Sequence, residues 1–113
     1  MPIKTIYAHI ACSDLSNSTE WYAKLFGRKP DALPMPGLAE WHYGEAAGIQ
    51  LFEEKPHAGA STLTLGVTDL DGEHARFEKN GLQPGDLEDA KQFKIFRTRD
   101  PDGNLVVLAG PKS

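Results

Sequence analysis

Few side chains in this 113-residue chain could do chemistry, and their types and spacing narrow what that chemistry is. There are four histidines, a single cysteine, and sixteen acids against twelve Lys and Arg. With Cys12 alone, neither an internal disulfide nor a cysteine-based zinc cluster can form. In its apolar run Cys12 reads as a small buried hydrophobe. His9 follows Tyr7 by two residues, so on a strand the two share a face. An imidazole that titrates near neutrality is there a candidate polar contact or general base, or else a histidine hydrogen-bonded within a wall. Arg97 and Arg99 share a face just before Asp100. A guanidinium in a cavity forks onto a carboxylate or phosphate; at a rim it pairs with one of the acids. Trp41 and Tyr43 supply aromatic surface, either as core or as a stacking wall with a polar tip. His42 lies between them with its face undetermined, His57 sits in a linker, and His74 falls on the polar part of a helix, where it reads as exposed.

Composition bounds the partners. Forty per cent hydrophobic and 25 per cent charged residues is ordinary globular usage, enough for one core. A net charge of −4 argues against a nucleic-acid binder working by phosphate neutralisation. No apolar run approaches the roughly 18 residues of a membrane span. The start, Met-Pro-Ile-Lys-Thr-Ile, has no signal-peptide core. A cytoplasmic protein is the expectation.

The elements that must position these residues follow in order. Residues 5–12 alternate as a strand, with Ile6, Ala8, Ile10 and Cys12 on one face. Ser13-Asp14 offers an N-cap, 15–26 a helix, and Gly27 its C-cap. Residues 28–33 read as a short strand, 34–37 as loop, 39–43 as a strand, 44–48 as a turn and 49–53 as a strand. In the last of these Ile49 and Leu51 face the helix, which leaves Gln50 and Phe52 on the other side. A linker at 55–60 precedes a strand at 61–67, a cap at Thr68-Asp69, a helix at 71–80 ended by Gly81, and a short strand at 84–87. The chain closes on a hairpin, 93–98 and 105–108, around Asp100-Pro101-Asp102-Gly103-Asn104. There Pro101 presets φ, the Asp side chains close local turns and Gly103 permits positive φ.

The second half repeats the first. Ser13-Asp14-Leu15 recurs as Thr68-Asp69-Leu70, and Tyr22 as Phe77, at an offset of 55 residues (69 − 14). Pro30 recurs as Pro84 at 54 (84 − 30). Each half reads strand, helix, strand, strand, strand. The expectation is one α+β domain over 1–113, built from two tandem βαβββ modules, 1–55 and 61–113.

These modules resemble the vicinal oxygen chelate superfamily, the group of glyoxalase I, extradiol dioxygenases, fosfomycin-resistance transferases and bleomycin-resistance proteins. The resemblance rests on Ser13-Asp14-Leu15, Trp21-Tyr22, Leu25-Phe26-Gly27, Gly48-Ile49-Gln50-Leu51-Phe52-Glu53, Leu65-Gly66-Val67-Thr68-Asp69-Leu70 and the turn at 100–104. It implies a cup-shaped sheet with helices on the convex side and, commonly, a homodimer whose cups are in some cases built from both chains. Its metal enzymes carry ligands on the first and last strand of each module. Carried over, those positions fall on Tyr7, Gln50, Thr62 and Val107. Two hydroxyls, an amide and a valine suit no divalent metal, so no cofactor and no metal ligand are expected. The expected cup lining is Tyr7, His9, Gln50, Phe52, Thr62, Thr64, Arg97 and Val107, with Trp41 as a possible wall and His9 as the one catalytic candidate. That lining suits a small organic ligand, anionic or aromatic, rather than nucleic acid or membrane. The alternatives are a metal-dependent lyase or dioxygenase of glyoxalase type in another register, a metal-free isomerase using His9, and a module that has lost its ligand.

Overall fold

Both cap signals produce helices. In the computed structural model, which describes residues 1–112, Asp14 accepts a hydrogen bond from the Asn17 amide (3.2 Å) and starts α1 (Leu15–Phe26). Gly27, at φ 74°, closes it by returning its N–H to the Ala23 carbonyl. Asp69 accepts from the Gly72 amide (3.1 Å) and starts α2 (Leu70–Lys79). Acids in the first turn of α2 and Arg76 and Lys79 in its last turn complement the helix dipole.

Around the helices the chain is α+β, with two βαβββ modules that are each a four-stranded mixed sheet. Module one contains β1 (Ile6–Cys12), α1, β2 (Ala32–Met35), β3 (Leu38–Tyr43) and β4 (Ala47–Glu53), in sheet order β1-β4-β3-β2. A 3-10 turn at Lys55–His57 leads to β5 (Thr62–Gly66), α2, β6 (Glu88–Asp89), β7 (Phe93–Arg99) and β8 (Leu105–Pro111), in sheet order β5-β8-β7-β6. The first strand of each module pairs parallel with the last, and the other pairings are antiparallel. No helix among the described residues is long and apolar enough to cross a membrane.

Two local expectations are corrected. The strand read at 28–33 and the loop read at 34–37 give way to β2 at Ala32–Met35, so residues 28–31 are not strand and residues 34 and 35 are. That strand is the outer edge of its sheet, where a proline costs no ladder hydrogen bond. The strand expected at 84–87 is instead the two-residue β6, because Gly85 donates its amide to the Arg97 carbonyl and Gln83 takes a positive φ of 51°.

One core runs through both modules. It collects Ile10, Cys12, Tyr22, Leu25, Trp41 and Leu51 from module one, with Leu63, Phe77, Phe96, Val106 and Leu108 from module two. Burial pushes the Cys12 thiol up to about 11, so it stays neutral and unreactive.

The turn at 100–104 joins the modules. The Asp100 carboxylate, 5% exposed, accepts from Tyr22 Oη (2.7 Å), Asn104 Nδ2 (2.8 Å) and the amides of Asp102 and Asn104. Burial first, and then this carboxylate, hold the Tyr22 phenol far above its ordinary pKa, so it remains a donor. Asn104, fully buried, donates to the Ala11 carbonyl on β1 (2.9 Å) and accepts from the Gly59 and Ser61 amides of the connecting segment (3.0 and 2.9 Å). Asp102 receives the Ser13 hydroxyl and amide at the start of α1. The hairpin of module two thus anchors the first strand and helix of module one.

Candidate functional site

Strand register decides which side chains share the open face of each sheet, opposite the helices. In module one β1 pairs His9 with Gln50 and Ala11 with Phe52, and β3 pairs Glu40 with Gln50 and His42 with Gly48. Tyr7, His9, Glu40, His42, Gln50 and Phe52 therefore stand on one surface. Ile10, Trp41, Ile49 and Leu51 lie beneath it, each 7% exposed or less. In module two the same logic sets Thr64, Val107 and Arg97 in one row, and Thr62, Leu105 and Arg99 in the next.

The module-one face has a defined floor. Gly48 leaves room for the Tyr7 ring, which a Cβ there would displace. Tyr7 lies in that space and meets His42 edge-on at 6.1 Å between ring centroids. His9 tilts over Phe52 at 5.8 Å. Between them Glu40, only 8% exposed, accepts from Gln50 Nε2 on Oε2 (2.9 Å) and lies 3.0 Å from His42 Nε2 through Oε1. The His42 contact first, and then the Gln50 amide, hold the Glu40 carboxyl below its ordinary value despite burial.

That depression has a sign. A folded-state pKa below the unfolded one adds stability above the unfolded value and loses it as pH falls through the folded pKa. The Glu40 contribution is therefore expected to fade as pH falls below 4.5, the carboxyl's ordinary value. Urea melts of wild type and Glu40→Gln should differ most near neutrality and converge in acid. A difference that is the same at both pH values would mean Glu40 is not held ionised by these partners.

The residues expected from sequence divide into three groups. Tyr7, His9, Gln50 and Phe52 stand together on the module-one face, and Thr62, Thr64, Arg97 and Val107 together on the module-two face. Trp41 belongs to neither. It is 0% exposed on the helix side and donates its Nε1–H to the Arg28 carbonyl (3.0 Å), so its place as a ligand-stacking wall is corrected to core. β4 begins at Ala47, inside what reads as the 44–48 turn, so the sequence leaves the face of Trp41 open.

Among the polar candidates, His9 Nε2 lies 4.0 Å from Glu54 Oε2, beyond hydrogen-bond reach, with its side chain 47% exposed. Glu54 is engaged by His57 instead. Arg97 is committed to the Glu88 carboxylate at the rim, and Arg99 donates to the Gly103 carbonyl. His74, read as exposed, is half-buried on the Phe96 ring and 2.8 Å from the Gly85 carbonyl. Sequence reasoning missed Glu40. The available signal was a glutamate alternating with Leu38 and His42 in an apolar strand, but its partner Gln50 depended on a register that the sequence leaves open.

A cleft of about 340 Å³ is lined by Gln83, Gly85, Arg97, Thr98, Arg99 and Leu105, all from module two. A second, about 380 Å³, lies at the seam of the helices and β5, with Phe26, Tyr43, Leu65, Val67 and Arg76 in its wall. Among the described residues no hydrogen bond or ion pair links the module-one face to that of module two.

The sequence matches no protein-family profile and no curated protein. Solved structures match over nearly the whole chain. A glyoxalase/bleomycin resistance protein from Catenulispora acidiphila DSM 44928 superposes with a TM-score of 0.87 at 26% identity, covering 96% of this chain and 99% of that one. A lactoylglutathione lyase from Agrobacterium tumefaciens gives 0.80 at 20% identity, covering 96% and 94%. TnmS3, an antibiotic binding protein from Streptomyces sp. CB03234, gives 0.79 at 19% identity, covering 99% and 97%.

Proposed function

Because the chain belongs to the vicinal oxygen chelate superfamily, we propose that it is a member without the superfamily's catalytic metal site, which binds a small organic molecule in its cup. The donor set carries this reading. The positions where the superfamily's metal enzymes hold their ligands are Tyr7, Gln50, Thr62 and Val107 here, and none offers an imidazole or a carboxylate. Among the described residues no group of three or more His, Cys, Asp and Glu is placed to hold a metal ion. These residues do not fit a catalytic metal.

What remains is aromatic surface with a few placed polar groups, the composition of a small-molecule site. One protein of the same fold is an antibiotic binding protein, which supports this use of the cup. An aromatic ligand suits the rings of Tyr7, His9 and Phe52. An anionic one is less well served, since Arg97 would first have to leave Glu88. The isomerase reading loses support because His9 has no hydrogen-bonded carboxylate to orient it. We further propose that a second copy of the chain completes each cup, setting a module-one face against a module-two face in a two-fold dimer.

The test is elemental analysis of purified, untagged protein, followed by thermal melts with Ni²⁺, Zn²⁺, Mn²⁺ and Fe²⁺ and then with a panel of aromatic small molecules. The expected result is no stoichiometric metal and no metal-specific stabilisation. A cup ligand at a hundred times its Kd should raise the melting point by about 10 °C. Sedimentation should show a dimer. A stoichiometric, stabilising metal would overturn the reading.

A further inference from the structure

His42, whose face the sequence leaves undetermined, is the imidazole on the open face with a hydrogen-bonded carboxylate behind it. Its Nε2 lies 3.0 Å from Glu40 Oε1, and Gln50 Nε2 holds the other Glu40 oxygen at 2.9 Å. An ionised carboxylate can only accept, so neutral His42 carries its proton on Nε2 and presents Nδ1 as a lone pair. Nδ1 makes no hydrogen bond among the described residues. The His42 side chain is 41% exposed and that of Glu40 only 11%, so the base is open and its orienting charge is enclosed. Arg28 and Asp31 also engage His42. They pair with each other at 3.0 Å and hold the His42 backbone, through its carbonyl and amide respectively. Tyr7 adds a ring edge-on to the imidazole and no charge.

We infer that His42, positioned by Glu40 and Gln50, is the proton acceptor of the cup, and that its ligand is an aromatic molecule bearing an acidic hydroxyl, a phenol. The inference rests on the reading that this open face lines the cup. Proton transfer needs no co-reactant. The ligand O–H bond breaks, its electron pair stays on oxygen as phenolate, and the proton forms an N–H bond at Nδ1. The imidazolium then lies between phenolate and carboxylate, the arrangement by which a buried carboxylate stabilises a protonated histidine in hydrolytic triads. An aliphatic alcohol is too weak an acid to share its proton with an imidazole, whereas an activated phenol is matched to it. The aromatic requirement comes from the Tyr7, His9 and Phe52 rings that flank the dyad.

The test uses 4-nitrophenol, whose phenolate has its own visible absorption band. Binding is read from thermal stabilisation, and ionisation from the band at a pH one unit below the probe's own pKa, where about a tenth of free probe is ionised. On wild-type protein most of the bound probe is expected to be phenolate, a several-fold rise. His42→Gln, a change at a half-exposed site checked for folding by circular dichroism, should return the phenolate fraction to that of free probe. Glu40→Gln should lower it by releasing the tautomer. A bound probe that stays neutral, or a His42→Gln protein that still ionises it, overturns the inference while the cup reading stands. The inference also falls, again leaving the cup intact, if 4-nitrophenol fails to stabilise the protein but other aromatic compounds succeed. If no compound stabilises it, both readings fall.

Discussion

Asn104→Ala is expected to destabilise the whole chain, not merely its C-terminal hairpin. The side chain is fully buried and makes four hydrogen bonds, to the Gly59 and Ser61 amides, the Ala11 carbonyl and Asp100. Alanine removes every partner at once and leaves two amides and a carbonyl without one. With about 1–3 kcal/mol lost for each buried group left unsatisfied, and some relief from entering water, the expected loss is about 3–5 kcal/mol. Domains of this kind are stable by only about 5–15 kcal/mol, so a large share of the total is at stake. Both tryptophans, Trp21 and Trp41, lie in module one, whereas Asn104 lies in module two. Tryptophan fluorescence during urea unfolding therefore reports the module that does not contain the mutation. Fluorescence and far-UV circular dichroism should shift together. A fluorescence transition left at its wild-type midpoint would show that the modules fold independently and that the turn at 100–104 does not couple them.

Trp41→Ala is expected to cost about 3–5 kcal/mol, the range for emptying a large aromatic site in a packed core. Trp41 is 0% exposed and contacts Tyr22 and Phe26, at 6.3 and 5.3 Å between ring centroids. Trp41→Phe should lose less, keeping most of the packing but leaving the Arg28 carbonyl without its indole donor. A wall residue lining an open cup would behave differently, because truncating an exposed ring changes folding stability little. A loss below about 1 kcal/mol for Trp41→Ala would mean the ring is not core and would return it to the ligand side.

The largest features of the fold were legible because they are local or repeated. Asp14 and Gly27 mark the ends of α1 through their own hydrogen-bonding and conformational chemistry, which needs no distant partner. Asp69 announces a second copy of the same unit, and the offset between copies implies tandem modules before any contact is known. The faces of β1 and β4 followed from alternation, which puts Tyr7, His9, Gln50 and Phe52 on one surface. The turn at 100–104 was legible as a turn from Pro101 and Gly103. Its role as the anchor of β1 and α1 was not, since Asn104 reaches Ala11 across 93 residues of sequence.

The sequence alone determined the element order and the tandem repeat, because these depend on local propensity, period and spacing. Tertiary structure decided the rest. It turned Trp41 into core, set Glu40 between His42 and Gln50, and gave Arg97 to Glu88. The physical reason is register. A strand's side chains change face with every residue, so a single uncertain position at the 44–48 turn leaves every partner on β3 undetermined until the sheet is paired.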